Sequence, residues 1–297
     1  MARATITDSR EKNRVSQQPL GAGRMVRTTP GSCNRKQSTE ITIMLLEQTN
    51  EKLGQMKLFG MMESLKTRVG RTDHSELGFT ELFGLVVDDE WMSRENRKLA
   101  KRFKVAKFKE QNACIENLEY SASRGLKKDQ TVELAQNRWI TAHQNILITG
   151  QAGAGKSYLA QALGNHACRQ GITVQYIRIP KLMFAFVQAR AEGTYGNLLA
   201  RLAKINLLIL DDFALSPLTD TEKQDLVEVA EDRYGVGSTI VTSQLPPNTW
   251  HEYLGGGRIA DALLERWIHN AHRFELKSRE SKRKEMAGLL DRGQSGK

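Results

Sequence analysis

The spacing of apolar positions divides the chain into two kinds of segment. From Met44 to about Arg71, Leu46, Leu53, Met56, Phe59 and Leu65 recur at helical intervals, with Gly54, Gly60 and Gly70 as candidate breaks. A second helical stretch opens near Thr80, where Leu82, Phe83, Val86, Leu99 and Phe103 keep the same kind of spacing. Residues 110–142 read as a connection carrying one short helix over Gln130–Ala142. From Asn145 the pattern changes. Short aliphatic runs (Ile146–Thr149, Ile172–Ile179, Leu207–Leu210, Thr239–Thr242 and a weaker His272–Leu276) alternate with helical stretches at Ser157–Gln170, Pro180–Ala191, Asn197–Ala203, Thr221–Tyr234 and Ile259–Asn270. Strands without a polar face, joined by helical crossovers, specify a parallel sheet covered on both sides. The pattern predicts an α/β domain over residues 143–284 behind an all-helical domain over residues 44–142. Residues 1–43 have no apolar period and are expected to be disordered, or to precede a translation start at Met44; residues 285–297 are expected to form a flexible tail.

Composition changes this picture little, but charge does. Of 297 residues, 39% are hydrophobic, which excludes a wholly disordered chain. No window approaches the ~18 apolar residues of a membrane-spanning helix, so no membrane is expected as partner. The three cysteines (Cys33, Cys114 and Cys168) form no metal or disulfide pattern and suit a reducing cytoplasm. The net charge is +10, and +5 of it sits in residues 1–43. Between Arg94 and Lys109 lie Arg94, Arg97, Lys98, Lys101, Arg102, Lys104, Lys107 and Lys109 against the single acid Glu95, a segment of +7. Such a helix repels itself unless a polyanion relieves it, which makes these eight residues the candidate DNA contact; a merely solvated basic face is the bland alternative.

The chemistry is concentrated at the first βα turn. Gly150-Gln151-Ala152-Gly153-Ala154-Gly155-Lys156-Ser157 satisfies the G-x-x-x-x-G-K-[ST] pattern, directly after one strand and before one helix. Its glycines let backbone N–H groups wrap phosphate oxygens, Lys156 supplies a point charge for the outer phosphates of ATP, and the Ser157 hydroxyl is placed to coordinate Mg²⁺. About fifty residues on, Leu207-Leu208-Ile209-Leu210-Asp211-Asp212 reads as a buried strand delivering Asp211 to the metal and Asp212 to the attacking water. Gln244, at the end of the strand Ser238–Ser243, is the candidate sensor of the γ-phosphate. Arg258 and Arg266 flank the helix Ile259–Asn270, and Arg266 is the favoured arginine finger toward a neighbouring subunit, against simple pairing with Glu265 or Asp261. His269 and His272 lack further ligands in register, so no metal site is expected there. Tyr195, Trp250 and Trp267 read as packing residues.

These motifs, in this order, resemble the IstB-like ATPases, transposition helpers of insertion sequences related to the DnaC helicase loader within the AAA+ group. The resemblance is carried by Leu45-Leu46-Glu47-Gln48-Thr49 with Leu53 and Lys57-Leu58, by Trp91-Met92-Ser93-Arg94-Glu95-Asn96-Arg97, and by the P-loop. It continues through Leu208–Phe213, Thr242–Pro246 and Leu264–Arg273, and covers the chain from about Met44 to Lys284. It implies an AAA+-type P-loop NTPase that hydrolyses ATP with Mg²⁺ and assembles as an ATP-dependent homo-oligomer on duplex DNA; weak sequence preference is expected because no module for reading base edges is apparent in the chain. It further implies that the chain recruits or stimulates a cognate transposase, and that the helical N-terminal domain helps contact DNA. A helicase loader is the alternative within the same engine, and a small-molecule kinase the alternative from another class.

Overall fold

A computed structural model describes residues 33–68, 78–118, 120 and 125–277, with side chains from Met44 onward. The break at Gly70, residues 1–32 and the tail 285–297 lie outside the described residues. By its internal packing the chain falls into two compact units, residues 1–70 and 71–297. The first contains helices α1 (Cys33–Gln55) and α2 (Phe59–Arg68). Helix α1 thus starts ahead of Met44, inside the segment read as lacking structure. It ends where Lys57 takes a left-handed φ of 58° and the Leu58 N–H turns back to the Leu53 carbonyl.

The second unit opens with the long helix α3 (Phe79–Ala106), followed by α4 (Lys128–Ala135) and α5 (Arg138–Thr141). The single helix expected over Gln130–Ala142 is interrupted because Asn137 adopts φ 57°, a left-handed conformation that an α-helix cannot continue through. Alternation then sets in as β1 (Asn145–Gly150), α6 (Lys156–Arg169), β2 (Val174–Arg178), α7 (Ile179–Ala191), α8 (Tyr195–Ala203) and β3 (Leu207–Phe213). It continues as α9 (Asp220–Arg233), β4 (Ser238–Ser243), α10 (Trp250–Tyr253), α11 (Gly257–Ile268) and β5 (Ala271–Leu276). Local chemistry sets several of these starts. Pro180 opens α7, and Thr219 caps α9 reciprocally with Glu222.

All five strands are parallel, in the order β2-β3-β4-β1-β5. The expected parallel sheet with helices on both faces is present. Residues alternate strictly between its two cores: Ile146, Ile148, Leu207, Ile209 and Ile240 face one, while Leu147, Leu208, Leu210 and Val241 face the other. The first core is covered by α6 with Ala106 and Phe108 at the end of α3; α7, α8, α9 and α11 cover the second. Right-handed crossovers explain the division. The connection from β1 jumps to the far edge strand β2, so α6 lies on one face, whereas β2, β3, β4 and β5 are then joined in the opposite direction over the other.

The dividing line at residues 70/71 is not the one expected near residue 142. The end of α3 and the segment after it belong to the sheet's own core. Phe108 is buried against α6, Gln161 accepts from the Lys109 and Glu110 N–H groups at 2.7 and 2.8 Å, and Asn165 donates to the Gln111 carbonyl at 3.1 Å.

Candidate functional site

The site forms where β1 ends and α6 begins. Gly150 has φ 145°, and a Cβ there would come within 2.1 Å of the Leu276 carbonyl oxygen on β5, so no side chain fits. Gly155 caps α6 at φ 93°, a conformation that sends the chain straight from loop to helix. The first N–H groups of α6 have no partner inside the helix, and its dipole is positive there: an anion site made from backbone. Lys156 is buried, and its Nζ donates to the Gln151 carbonyl at 2.9 Å. Burial loosens its proton, while the Asp211 and Asp212 carboxylates act in the opposite sense.

Asp211, 2% exposed, is the hub. It accepts hydrogen bonds from the Ser157 hydroxyl at 2.8 Å, from the Tyr176 hydroxyl at 2.6 Å and from the Thr242 hydroxyl. Burial first, and the bond to Asp211 second, raise the Tyr176 phenol well above its ordinary range, so it stays a donor. A hydroxyl and a carboxylate oxygen 2.8 Å apart form a hard-oxygen donor set, which fits Mg²⁺.

Strand β3 runs past the predicted Leu210 to Phe213, but irregularly. Its register with β4 shifts between Leu210 and Phe213, and Asp212 and Ala214 take φ 64° and 61°. Asp tolerates this region better than most residues. The Asp212 N–H donates to Thr242 Oγ1 at 3.1 Å, and its carboxylate accepts from Arg178 Nε at 2.7 Å. That ion pair strengthens the guanidinium's hold on its proton. Gln244 follows Ser243, whose partner across the ladder is Thr149, so it stands exposed beside the P-loop; its side chain makes no hydrogen bond among the described residues.

Arg266 does not join this group. The Asn145 side chain, at the first residue of β1, donates to the Arg266 carbonyl at 2.9 Å, which puts Arg266 at the rim formed by the strands' N-terminal ends, the far edge from the P-loop, about 17 Å away along the strand. Its guanidinium is engaged by Glu231 and by Glu265 and lies over the Tyr234 ring. Arg266 and Arg233 occupy the last turns of α11 and α9, where cations meet the helices' negative ends. Both line a cavity of about 370 Å³ at that far edge, with His143 and His269. Arg258 sits at the other end of α11, exposed on the P-loop side, because α11 runs back across the sheet into β5.

The eight cations of the basic segment fall into two groups. Arg94 and Arg97 both pair with the buried Glu90, Lys98 pairs with Glu95 at 2.8 Å, and Arg102 donates to the Cys168 carbonyl at the end of α6. Lys101, Lys104, Lys107 and Lys109 are exposed with no ion pair among the described residues. Trp250 and Trp267 are buried around Phe213, with ring centroids at 4.8 and 5.2 Å, and Tyr195 packs on Phe186. Sequence reasoning passed over Tyr176 and Arg178. Their signal was faint, since Tyr176 and Arg178 share one face of a short strand that also carries Gln175, and it is meaningful only once β2 is known to lie beside β3.

Residues 51–288 match the IstB-like ATP binding protein family. A protein of Sinorhizobium fredii named as an insertion sequence ATP-binding protein, y4pL, is 43% identical over 233 residues, which cover 78% of this chain and 95% of that one. One of Pseudomonas fluorescens, named for insertion sequence IS1162, is 39% identical over 206 residues, covering 69% and 89%. Among solved structures, the DnaC helicase loader is similar with a TM-score of 0.48 at 17% identity, covering 57% of this chain and 99% of that one. DnaA from Aquifex aeolicus with bound AMPPCP gives 0.49 at 24%, covering 58% and 52%.

Proposed function

We propose, from the premise that this chain belongs to the IstB-like ATP-binding protein family, that this AAA+-type ATPase couples its nucleotide to a grip on duplex DNA as a helper of transposition. ATP assembles subunits into a homo-oligomer on DNA with weak sequence preference, and the assembly recruits or stimulates a cognate transposase in the bacterial cytoplasm. One observation carries this reading above the rest. The basic end of α3 is fastened along α6, the helix that begins at the P-loop, through Gln161 to Lys109 and Glu110 and through Arg102 to Cys168. Gln161 also donates to the Ser157 carbonyl at 3.0 Å, so one fully buried side chain touches both the phosphate-binding turn and the basic segment.

In this reading the P-loop residues Gly150 to Ser157 cradle the phosphates, and Lys156 leaves the Gln151 carbonyl for their outer oxygens. Ser157 and Asp211 hold Mg²⁺, which when bound neutralises phosphate charge. Asp212 polarises the attacking water, and Gln244 reads the γ-phosphate from β4. Arg258, on the P-loop side, takes over from Arg266 as the arginine offered to a neighbouring subunit; the ion pairs and far-edge position of Arg266 suit a structural role.

The test is sedimentation of the full chain with duplex DNA, with and without ATP, at two salt concentrations. Large DNA-bound assemblies that need ATP and recede with salt are expected, and Lys156→Ala should abolish them. A chain that stays monomeric and ignores DNA in every condition overturns the proposal, and unimpaired ATP binding by Lys156→Ala overturns the P-loop's role.

A further inference from the structure

Helix α6 buries two amides among alanines and leucines. Gln161 is fully buried and Asn165 is 2% exposed, beside Ala160, Ala162 and Leu163. An aliphatic side chain of similar size would be easier to bury, whereas a buried amide fixes geometry through its hydrogen bonds. Gln161 Oε1 accepts from the Lys109 and Glu110 N–H groups, and Asn165 Nδ2 donates to the Gln111 carbonyl. Asn165 Oδ1 is buried with no partner among the described residues, so the residue bears a desolvation cost for that one bond. One turn further, the Cys168 carbonyl accepts from Arg102 at 3.4 Å. Residues 161, 165 and 168 follow one another at helical spacing, so α6 is tied along a single line to residues 102–111. That stretch carries the exposed Lys104, Lys107 and Lys109, with Phe108 buried between the last two. At its other end the line reaches the phosphate-binding turn, where Gln161 Nε2 donates to the Ser157 carbonyl. Apolar packing of α6 on the sheet has no direction, but these bonds fix register.

We infer that α6 and residues 102–111 move as one body, and that Gln161 is the positioning residue that passes nucleotide occupancy to the basic segment. The inference rests on the proposed reading that ATP and duplex DNA are the two ligands. Phosphates engage Lys156 and the first N–H groups of α6. A shift of that helix end is carried one turn on to Gln161, and so to the turn at Lys109. By linkage, DNA held by the lysines favours the same position of α6 and tightens nucleotide binding by the same factor.

Equilibrium titrations of the full chain with the uncleaved ATP analogue AMPPCP and Mg²⁺, with and without a mixed-sequence duplex, give that factor as a ratio of affinities. A change in either affinity alone leaves the ratio unmoved. The parent should show a factor of roughly 5–150. Gln161→Met, close in shape but without the amide, should bring it to within about twofold of one. Gln161→Glu keeps the acceptors for Lys109 and Glu110 but loses the donor to Ser157. It should lower the factor too, while nucleotide-free DNA binding persists. Asp225→Ala, on the other face of the sheet, lowers stability without touching the line and should keep the parental factor. If Gln161→Met does not fold, Gln161→Glu decides. A parental factor of one overturns the proposed function. A coupled parent whose factor survives in the folded Gln161 variants overturns the inference alone, and so does equal loss of coupling in Asp225→Ala.

Discussion

Asp225 shows what one side chain does for this fold. It is 1% exposed on α9 and accepts from both ends of the Arg190 guanidinium on α7 and from the Tyr195 hydroxyl on α8 at 2.8 Å. Arg190 also lies 4.4 Å over the Tyr195 ring, so one carboxylate ties three helices of the same face together. Burial, with help from Asp225, pushes the Tyr195 phenol up to about 12, which keeps it a donor across the physiological range. Asp225→Ala should cost about 1–3 kcal/mol, since Tyr195 loses its acceptor while the part-exposed Arg190 partly rehydrates. A denaturant melt checks this, and an unchanged midpoint would mean the cluster is ornamental to stability. Residue chemistry of this sort is half visible in a sequence. The P-loop and Asp211 announce themselves because backbone requirements force their spacing. Glu231, which engages Arg266 alongside its sequence neighbour Glu265, and the partners of Asp212 and Asp225 do not, because each lies some thirty residues or more away in the chain and becomes a neighbour only through strand order and helix packing.

At the scale of elements, α6 is bound most tightly to its surroundings. Gly164 faces both Ile209 on β3 and Phe108: a Cβ there would stand 2.7 Å from Ile209 Cδ1 and 3.0 Å from the Phe108 ring. An exposed glycine in a helix interior is stabilised by roughly 0.5–1 kcal/mol on changing to alanine, and Gly84 in α3, with nothing within 4 Å, should behave so. Gly164→Ala should go the other way by about 1–3 kcal/mol, because overpacking exceeds the gain in helix propensity. Thermal melts of the two variants compare them directly; parallel shifts would show that α6 does not press on β3 as closely as described. The strands were legible from their apolar runs, and α6, α7 and α9 nearly to the residue, since breakers and caps mark their ends. The left-handed Asn137 that splits α4 from α5 is only weakly marked, because asparagine tolerates that conformation without requiring it. The attachment of the α3 end to the sheet was hidden for a physical reason: basic residues surround a narrow apolar seam, and only Ala106 and Phe108 at its end are fully covered.

For the whole molecule, what matters is how much of the +7 segment remains available to a partner. Two of its arginines share Glu90, Lys98 shares Glu95, and Arg102 faces the end of α6. The remainder, exposed and without an ion pair among the described residues, is four lysines. Replacing Lys101, Lys104 and Lys107 together should flatten the dependence of log affinity for duplex DNA on log salt by up to about 3 units, roughly 0.9 for each phosphate left without its lysine. Binding titrations at several salt concentrations measure this slope, and an unaltered slope would remove α3 from the DNA interface. The same inventory has a further consequence. A lysine ammonium is a compact charge without the planar fork that lets arginine recognise guanine edges. If the unpaired lysines hold the duplex, the chain feels it as a smooth rail of charge, with nearly equal footing at every base pair. It would travel along DNA by sliding, and stop only where its partner, or the stiffness of the duplex, gives it a reason to.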